Sequence, residues 1–354
     1  MDTAVEHALR PLDALRWRAL VSLGGVGRRL VRERALRVAA WGLLAVALAF
    51  VGATAFPIVL LALGPIVWGV PHVVADVRYL VVRRGLHRRA AVGGVTALGL
   101  VASAWTGHVT WATATAATVA LLSRASHGRR LVVAFVFLAL TVVGSRDRTT
   151  ASLVFAHLHN LVALVLWWFW RPRRGVSYLV LLLYAAAALV LALGLVEPLG
   201  TAWRLGGFGL HEARESLAPG VTAPWGTRLV VLFAFAQAMH YALWVRLVPE
   251  EDRERPTPRT FRASWRALRT DLGGALLSVA ALSAIGVAAW ALVDLADARE
   301  GYLRAAIFHG HLELVALALL ATEGRSFATA LVRPRRSYYD DASAAWKRSR
   351  ARSV

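Results

Sequence analysis

FHGHLELVALALL, residues 308–320, is an apolar run that opens with His309, His311 and Glu313. Polar side chains placed where water is absent are costly unless a partner satisfies them. The stretch therefore predicts a membrane-crossing helix that brings histidine and carboxylate to a partner elsewhere in the chain.

Stretches of similar character recur through the 354 residues, 58% of which are hydrophobic. From about residue 36 onward, apolar segments of bilayer-crossing length follow one another. Ten spans are read at about 36–56, 58–82, 90–106, 108–123, 131–144, 151–170, 176–196, 228–248, 273–293 and 303–322. The expected fold is all-α, a polytopic integral membrane helix bundle. A basic N-terminal segment (1–35) precedes the single transmembrane domain (36–322), and a basic tail (323–354) follows it. AFVGATA (49–55) ends in the A-x-A pattern of a signal cleavage site, but the long basic region before it favours an uncleaved first helix.

The formal charge of +20 is distributed by topology. With the N-terminus in the cytoplasm and alternating spans, 33 of the 41 Lys plus Arg residues fall on the cytoplasmic side. That asymmetry is the positive-inside pattern. It predicts two cytoplasmic termini in a bacterial-type inner (plasma) membrane, with membrane lipids rather than nucleic acid as the partner of the basic charge. The sequence does not specify the oligomeric state. Cysteine is absent, which excludes disulfides and thiolate metal ligands. The only lysine, Lys347, lies in the tail, so no retinal Schiff base can form within the bundle.

Two connections are long. RTFRASWRALR (259–269), in the cytoplasmic loop 249–272, spaces Phe261, Trp265 and Leu268 as an amphipathic helix suited to an anionic leaflet. The outward loop 197–227 is rich in glycine and proline and carries Trp203, Phe208, His211 and Trp225.

Six of the eleven histidines lie inside spans, and only in the second, sixth, eighth and tenth: His72, His157 and His159, His240, and His309 and His311. These four spans all run in the same direction, and at ~1.5 Å rise per residue the six side chains occupy roughly 10 Å of depth. Residues three or four apart share a helix face, which pairs His72 with Asp76, His157 with Asn160, Gln237 with His240, and His309 with Glu313. Imidazole is the commonest protein metal ligand, and carboxylates serve as co-ligands or orient the rings. All six histidines are thus candidate metal ligands, with Asp76, Glu313, Gln237 and Asn160 as candidate catalytic or orienting groups. His159 and His311 fall two residues from their neighbours, about 200° round a regular helix. A π-bulge near Gly310 would let both members of that pair face one point.

Imidazole with carboxylate suits iron, zinc, copper or manganese by ligand type. Bis-histidine haem is a further option. HExxH is absent, and so are the HxxxH and HxxHH boxes of desaturases.

GPIVWGVPHVVADVRYL (64–80) contains GVPHVVAD, which resembles the G-x-P-H-x-x-x-D element of the bacterial central-cleaving carotene dioxygenases, the Brp/Blh family. Those are polytopic membrane proteins with several essential histidines and non-haem iron. The resemblance implies that His72 is an iron ligand and that Asp76 is a ligand or supports one. Val77 stands where that family often has a further histidine.

The expected function is a membrane-embedded, metal-dependent oxidoreductase or oxygenase acting on an apolar isoprenoid, such as a carotenoid, or on a lipid chain. Trp68, Trp167, Trp168 and Trp244 would shape its apolar cavity. The alternatives are a haem-binding electron carrier and a metal or proton transporter; for transport, no matching pair of broken helices is found.

Overall fold

A computed structural model describes residues 2–324 together with 326 and 327, so nearly all of the tail 323–354 lies outside the described residues. Among the described residues the chain is helical with no strand. The basic N-terminal segment forms α1 (Asp2–Ser22) and α2 (Gly24–Arg32). There follow α3 (Arg34–Ala55), α4 (Pro57–Asp76), α5 (Ala90–Thr106), α6 (Thr110–Leu122), α7 (His127–Arg146) and α8 (Arg148–Trp170). The remainder comprises α9 (Ser177–Leu193), α10 (Leu210–Leu217), α11 (Trp225–Ala242), α12 (Val248–Glu251), α13 (Phe261–Val293), α14 (Leu295–Ala305) and α15 (Ile307–Glu323).

Seven of the helical segments are long and apolar enough to cross a membrane: α3, α4 with its continuation to Val82, α7, α8, α11 through α12, α13, and α14 with α15. Three shorter apolar helices, α5, α6 and α9, accompany them. The perimeter suits a lipid environment. Leu98, Phe135, Leu182 and Leu282 are exposed, and Leu292 is 90% exposed, an apolar surface that water would penalise.

Local chemistry sets several boundaries. Asp147, Thr260 and Asp294 cap α8, α13 and α14, each side chain accepting a backbone N–H three residues on. Pro57 opens α4, where its missing N–H costs nothing. The amphipathic segment read at 259–269 forms the head of α13 and joins the span beyond it across a break at Gly273, whose φ of 79° and ψ of 164° suit glycine.

Burial ranks the helices. α11 and α15 are the inner ones; α11 packs on α3, α4, α8 and α9, and α15 on α4, α5, α6, α7 and α8. By contrast, α13 buries none of its residues. The four helices that carry the intramembrane histidines, α4, α8, α11 and α15, therefore meet at the centre.

Two of these helices change pitch just beyond their histidines. α4 continues as a π-helical segment, Val77–Val82, and α11 as another, Leu243–Leu247. No such deformation occurs at Gly310, where α15 is regular. The discontinuity in that span is at Ala306, between α14 and α15.

The arginine-rich end is a layer of buried ion pairs. Glu250 accepts from Arg37 at 2.6 Å, Arg253 at 3.1 Å and Arg246 at 3.2 Å. Asp252 accepts from Arg83, from Arg84 at 2.9 Å and from the Trp170 indole N–H at 3.1 Å. Arg173 pairs with Glu251, and Arg78 with Asp271 at 2.8 Å. Burial pushes the Arg84 guanidinium down to about 10, and Asp252 opposes that shift. Arg84 thus stays charged at neutral pH and depends on its partner.

Candidate metal centre

Histidines from all four inner helices converge. Ligand-capable atoms of His72, His240 and His309 lie within 4.8 Å of one another. The rings meet edge to face: the His72 centroid is 4.6 Å from His309 and 5.3 Å from His240, and His240 is 5.8 Å from His309. His159 closes the cluster, 5.2 Å from His240 and 5.4 Å from His309. Three ligands spread evenly at about 2.1 Å from one ion lie about 3.4–3.6 Å apart. Closing the trio onto an ion therefore needs each ring to move by less than about 1 Å, within reach of small χ rotations.

Two carboxylates flank the rings. Asp76 Oδ2 is 3.9 Å from His72 Nε2, and Glu313 Oε1 is 3.5 Å from His240 Nε2. The Trp244 indole N–H donates to Glu313 Oε1 at 2.6 Å, which fixes that carboxylate. His72 and Asp76 meet as their i, i+4 spacing predicts, but Glu313, which that spacing pairs with His309, serves His240 of α11 instead.

The hydrogen-bond inventory is what singles the site out. Both ring nitrogens of His72, both of His240, both oxygens of Asp76 and Oε2 of Glu313 are buried without a hydrogen-bond partner. Most buried polar atoms in folded proteins are paired, so this concentration of orphaned donors and acceptors fits a cationic ligand. His159 and His309 are oriented for the same purpose. Nδ1 of His159 contacts the Ala156 carbonyl at 2.8 Å, and Nδ1 of His309 contacts that of Ala306 at 2.5 Å. A carbonyl only accepts, so each Nδ1 carries the proton and each neutral ring keeps its Nε2 lone pair free.

The remaining candidates stand elsewhere. His157, which the helical phase pairs with Asn160 as a ligand, instead turns its Nε2 to the Leu217 carbonyl at 2.9 Å and packs on Phe233. It ties α8 to the end of α10, and His159 is the member of the pair that joins the cluster. His311 bonds the Ile307 carbonyl at 2.9 Å and lies against Phe155, away from the other rings. Asn160 donates to Ala156 in its own helix, with a weak 3.3 Å bond. Gln237 lines an apolar groove between α3, α4 and α11, together with Trp68. Trp244 holds Glu313 rather than shaping that groove, while Trp167 and Trp168 lie under the Arg173 guanidinium.

No family model, curated protein or solved structure matches the chain.

Two tyrosines that are not among the sequence candidates join the site. The Tyr241 ring lies 4.9 Å from His72 and 6.0 Å from His240. Tyr302, on α14, fills the space left by Gly69, where a Cβ would come within 2.3 Å of its ring, and its hydroxyl is buried without a partner. Tyr241 adjoins His240 and stands four residues after Gln237, on the stripe of α11 beside the histidine, and Tyr302 belongs to a charged helix outside the apolar runs.

Proposed function

We propose that the chain is a membrane-embedded, metal-dependent oxidoreductase, an oxygenase acting on an apolar isoprenoid or lipid chain. The observation that carries this reading is the convergence of four histidines and two carboxylates, among which both ring nitrogens of His72 and His240, both oxygens of Asp76 and Oε2 of Glu313 are buried without a hydrogen-bond partner. His72, His159, His240 and His309 would hold the ion, with Asp76 and Glu313 as co-ligands or orienting acceptors. The donor set of nitrogen and oxygen admits iron alongside zinc, copper and manganese. When bound, iron would supply the redox chemistry with dioxygen as oxidant. The resemblance of GVPHVVAD to the Brp/Blh carotene dioxygenases supports the choice of iron and assigns His72 and Asp76 the same roles.

The surrounding residues have separable tasks. Trp244 fixes the Glu313 carboxylate. Tyr241 walls the rings from the groove, and the close-packed bundle excludes water. Rings in mutual contact leave no slot for a porphyrin between axial histidines, which favours a bare ion over haem. A transporter would be expected to break its site helices at mid-membrane; α4, α8 and α11 instead run helical through their histidines, and of the four histidine-bearing spans only the tenth breaks beside them, at Ala306. We further propose ten spans, with α5, α6 and α9 crossing beside the seven longer segments, and both termini on the cytoplasmic face of a bacterial-type inner membrane.

Metal analysis with an optical spectrum of the detergent-purified protein tests the reading. About one equivalent of iron without a Soret band is expected, and oxygen uptake when isoprenoid or lipid chains are added. A Soret band, or no stoichiometric transition metal, overturns it.

A further inference from the structure

The bundle opens sideways between α3, α4 and α11 into a groove of about 420 Å³, within the size range of small-molecule sites. Leu44, Leu48, Leu60 and Trp68 supply apolar walls. Its two ends differ. At one, Tyr241 both lines the groove and touches His72, so a single side chain separates the groove from the histidine cluster. At the other, Arg246 lines the groove with its guanidinium 4.6 Å from the Trp41 ring centroid.

Arg246 is not neutralised there. Its side chain is 35% exposed, and it shares Glu250 with Arg37 and Arg253. Three guanidiniums share that one carboxylate, so Arg246, the one of them that lines the groove, brings surplus positive charge to its end. An apolar trough ending in surplus positive charge suits an amphiphile with an anionic head. The groove is a single apolar trough with one cationic end, which suits one chain beneath one head rather than the paired chains of a bilayer phospholipid.

We infer that the groove binds a single-chain carboxylic acid, its carboxylate on Arg246 and its chain running past Trp68 to Tyr241. A guanidinium fork matches a carboxylate geometrically. Five residues separate Arg246 from Tyr241, about 7 Å along the helix. A head held at Arg246 therefore determines which part of the chain lies beside the histidine cluster. This consequence for substrate class rests on the oxygenase reading above; the binding itself does not.

Trp41 and Trp68 line the groove, so energy transfer from tryptophan to cis-parinaric acid reports occupancy in the full-length protein in detergent. The acid is expected to bind at least tenfold more tightly than its methyl ester. Arg246→Gln should reduce the acid to the level of the ester, since Glu250 keeps Arg37 and Arg253 and the fold survives. Ala45→Trp or, as a second blocker, Leu48→Trp should abolish binding of both probes, and all three variants should retain the wild-type metal content. Equal affinity of acid and ester, or an unchanged Arg246→Gln, overturns the inference. Displacement of the probe by dilauroyl phosphatidylglycerol as readily as by lauric acid overturns the single-chain assignment. Loss of the metal finding with the acid preference intact sinks the oxygenase reading and leaves the groove assignment standing.

Discussion

His157 and His159 show how finely a helix sorts neighbouring side chains. Two residues apart, they point to different partners: His159 to the ring cluster and His157 to the Leu217 carbonyl. Sequence spacing placed His157 in phase with Asn160, but nothing in that spacing reveals which stripe of α8 faces inward. Packing against α11 and α15 decides it. His72, Asp76, His240, His309 and Glu313 were legible because they are the polar residues of apolar spans whose partners sit one turn away. Alanine at His72, His240 or His309 is expected to abolish metal retention, as read by elemental analysis. His157→Ala should retain metal and lose about 1–2 kcal/mol of stability, the worth of a hydrogen bond to a part-buried carbonyl. Glu313→Gln keeps an acceptor for Trp244 but loses the charge, and should weaken metal affinity about 10- to 100-fold. Retention of metal by all three ligand variants would show that the ion, if any, sits elsewhere.

Between elements, contacts depend on small residues and on paired charges. Gly310 lets Phe155 of α8 approach α15, since a Cβ there would come within 2.6 Å of the Phe155 ring. Phe155 in turn stacks on His159. Gly310→Ala should therefore spread α8 from α15, costing about 1–3 kcal/mol and lowering metal occupancy together with stability in a thermal melt. Asp252 presents a different case. It carries Arg83, Arg84 and Trp170 at once. Asp252→Asn leaves Arg84 without its counter-charge and Arg83 with Asp271 alone, and breaking such buried pairs costs about 3–5 kcal/mol. Denaturation in detergent should show that loss with metal stoichiometry unchanged below the transition. These layers were hidden from sequence reading, which saw the arginines as a topological signal and could not see that Glu250, Glu251 and Asp252 would be buried among them.

For the whole molecule, the alternation of apolar and basic segments was enough to read an all-helical membrane bundle, because hydropathy and charge act over the scale of entire helices. Finer features escaped it. Three of the ten apolar helices are too short to qualify by length alone, and the head of α13 and the span beyond it join across Gly273. The absence of cysteine makes the proposed orientation testable with single substitutions. In intact cells, an impermeant maleimide should label Thr106→Cys and spare Ser264→Cys until the membrane is opened. The reverse pattern would invert the topology, and labelling of both from one side would remove a span.

The π-helical segment Leu243–Leu247 has a mechanical consequence. An extra residue in one turn lets the helix on either side of it keep its own rotational setting. Deleting one residue there would swing everything beyond by about 100°, carrying Glu250 and Asp252 out of their arginine layer while His240, upstream, stays where it is. The matching segment Val77–Val82 does the same between Asp76 and Arg83. The histidine cluster and the ionic layer are thus tuned independently: each can drift in sequence without dragging the other out of register.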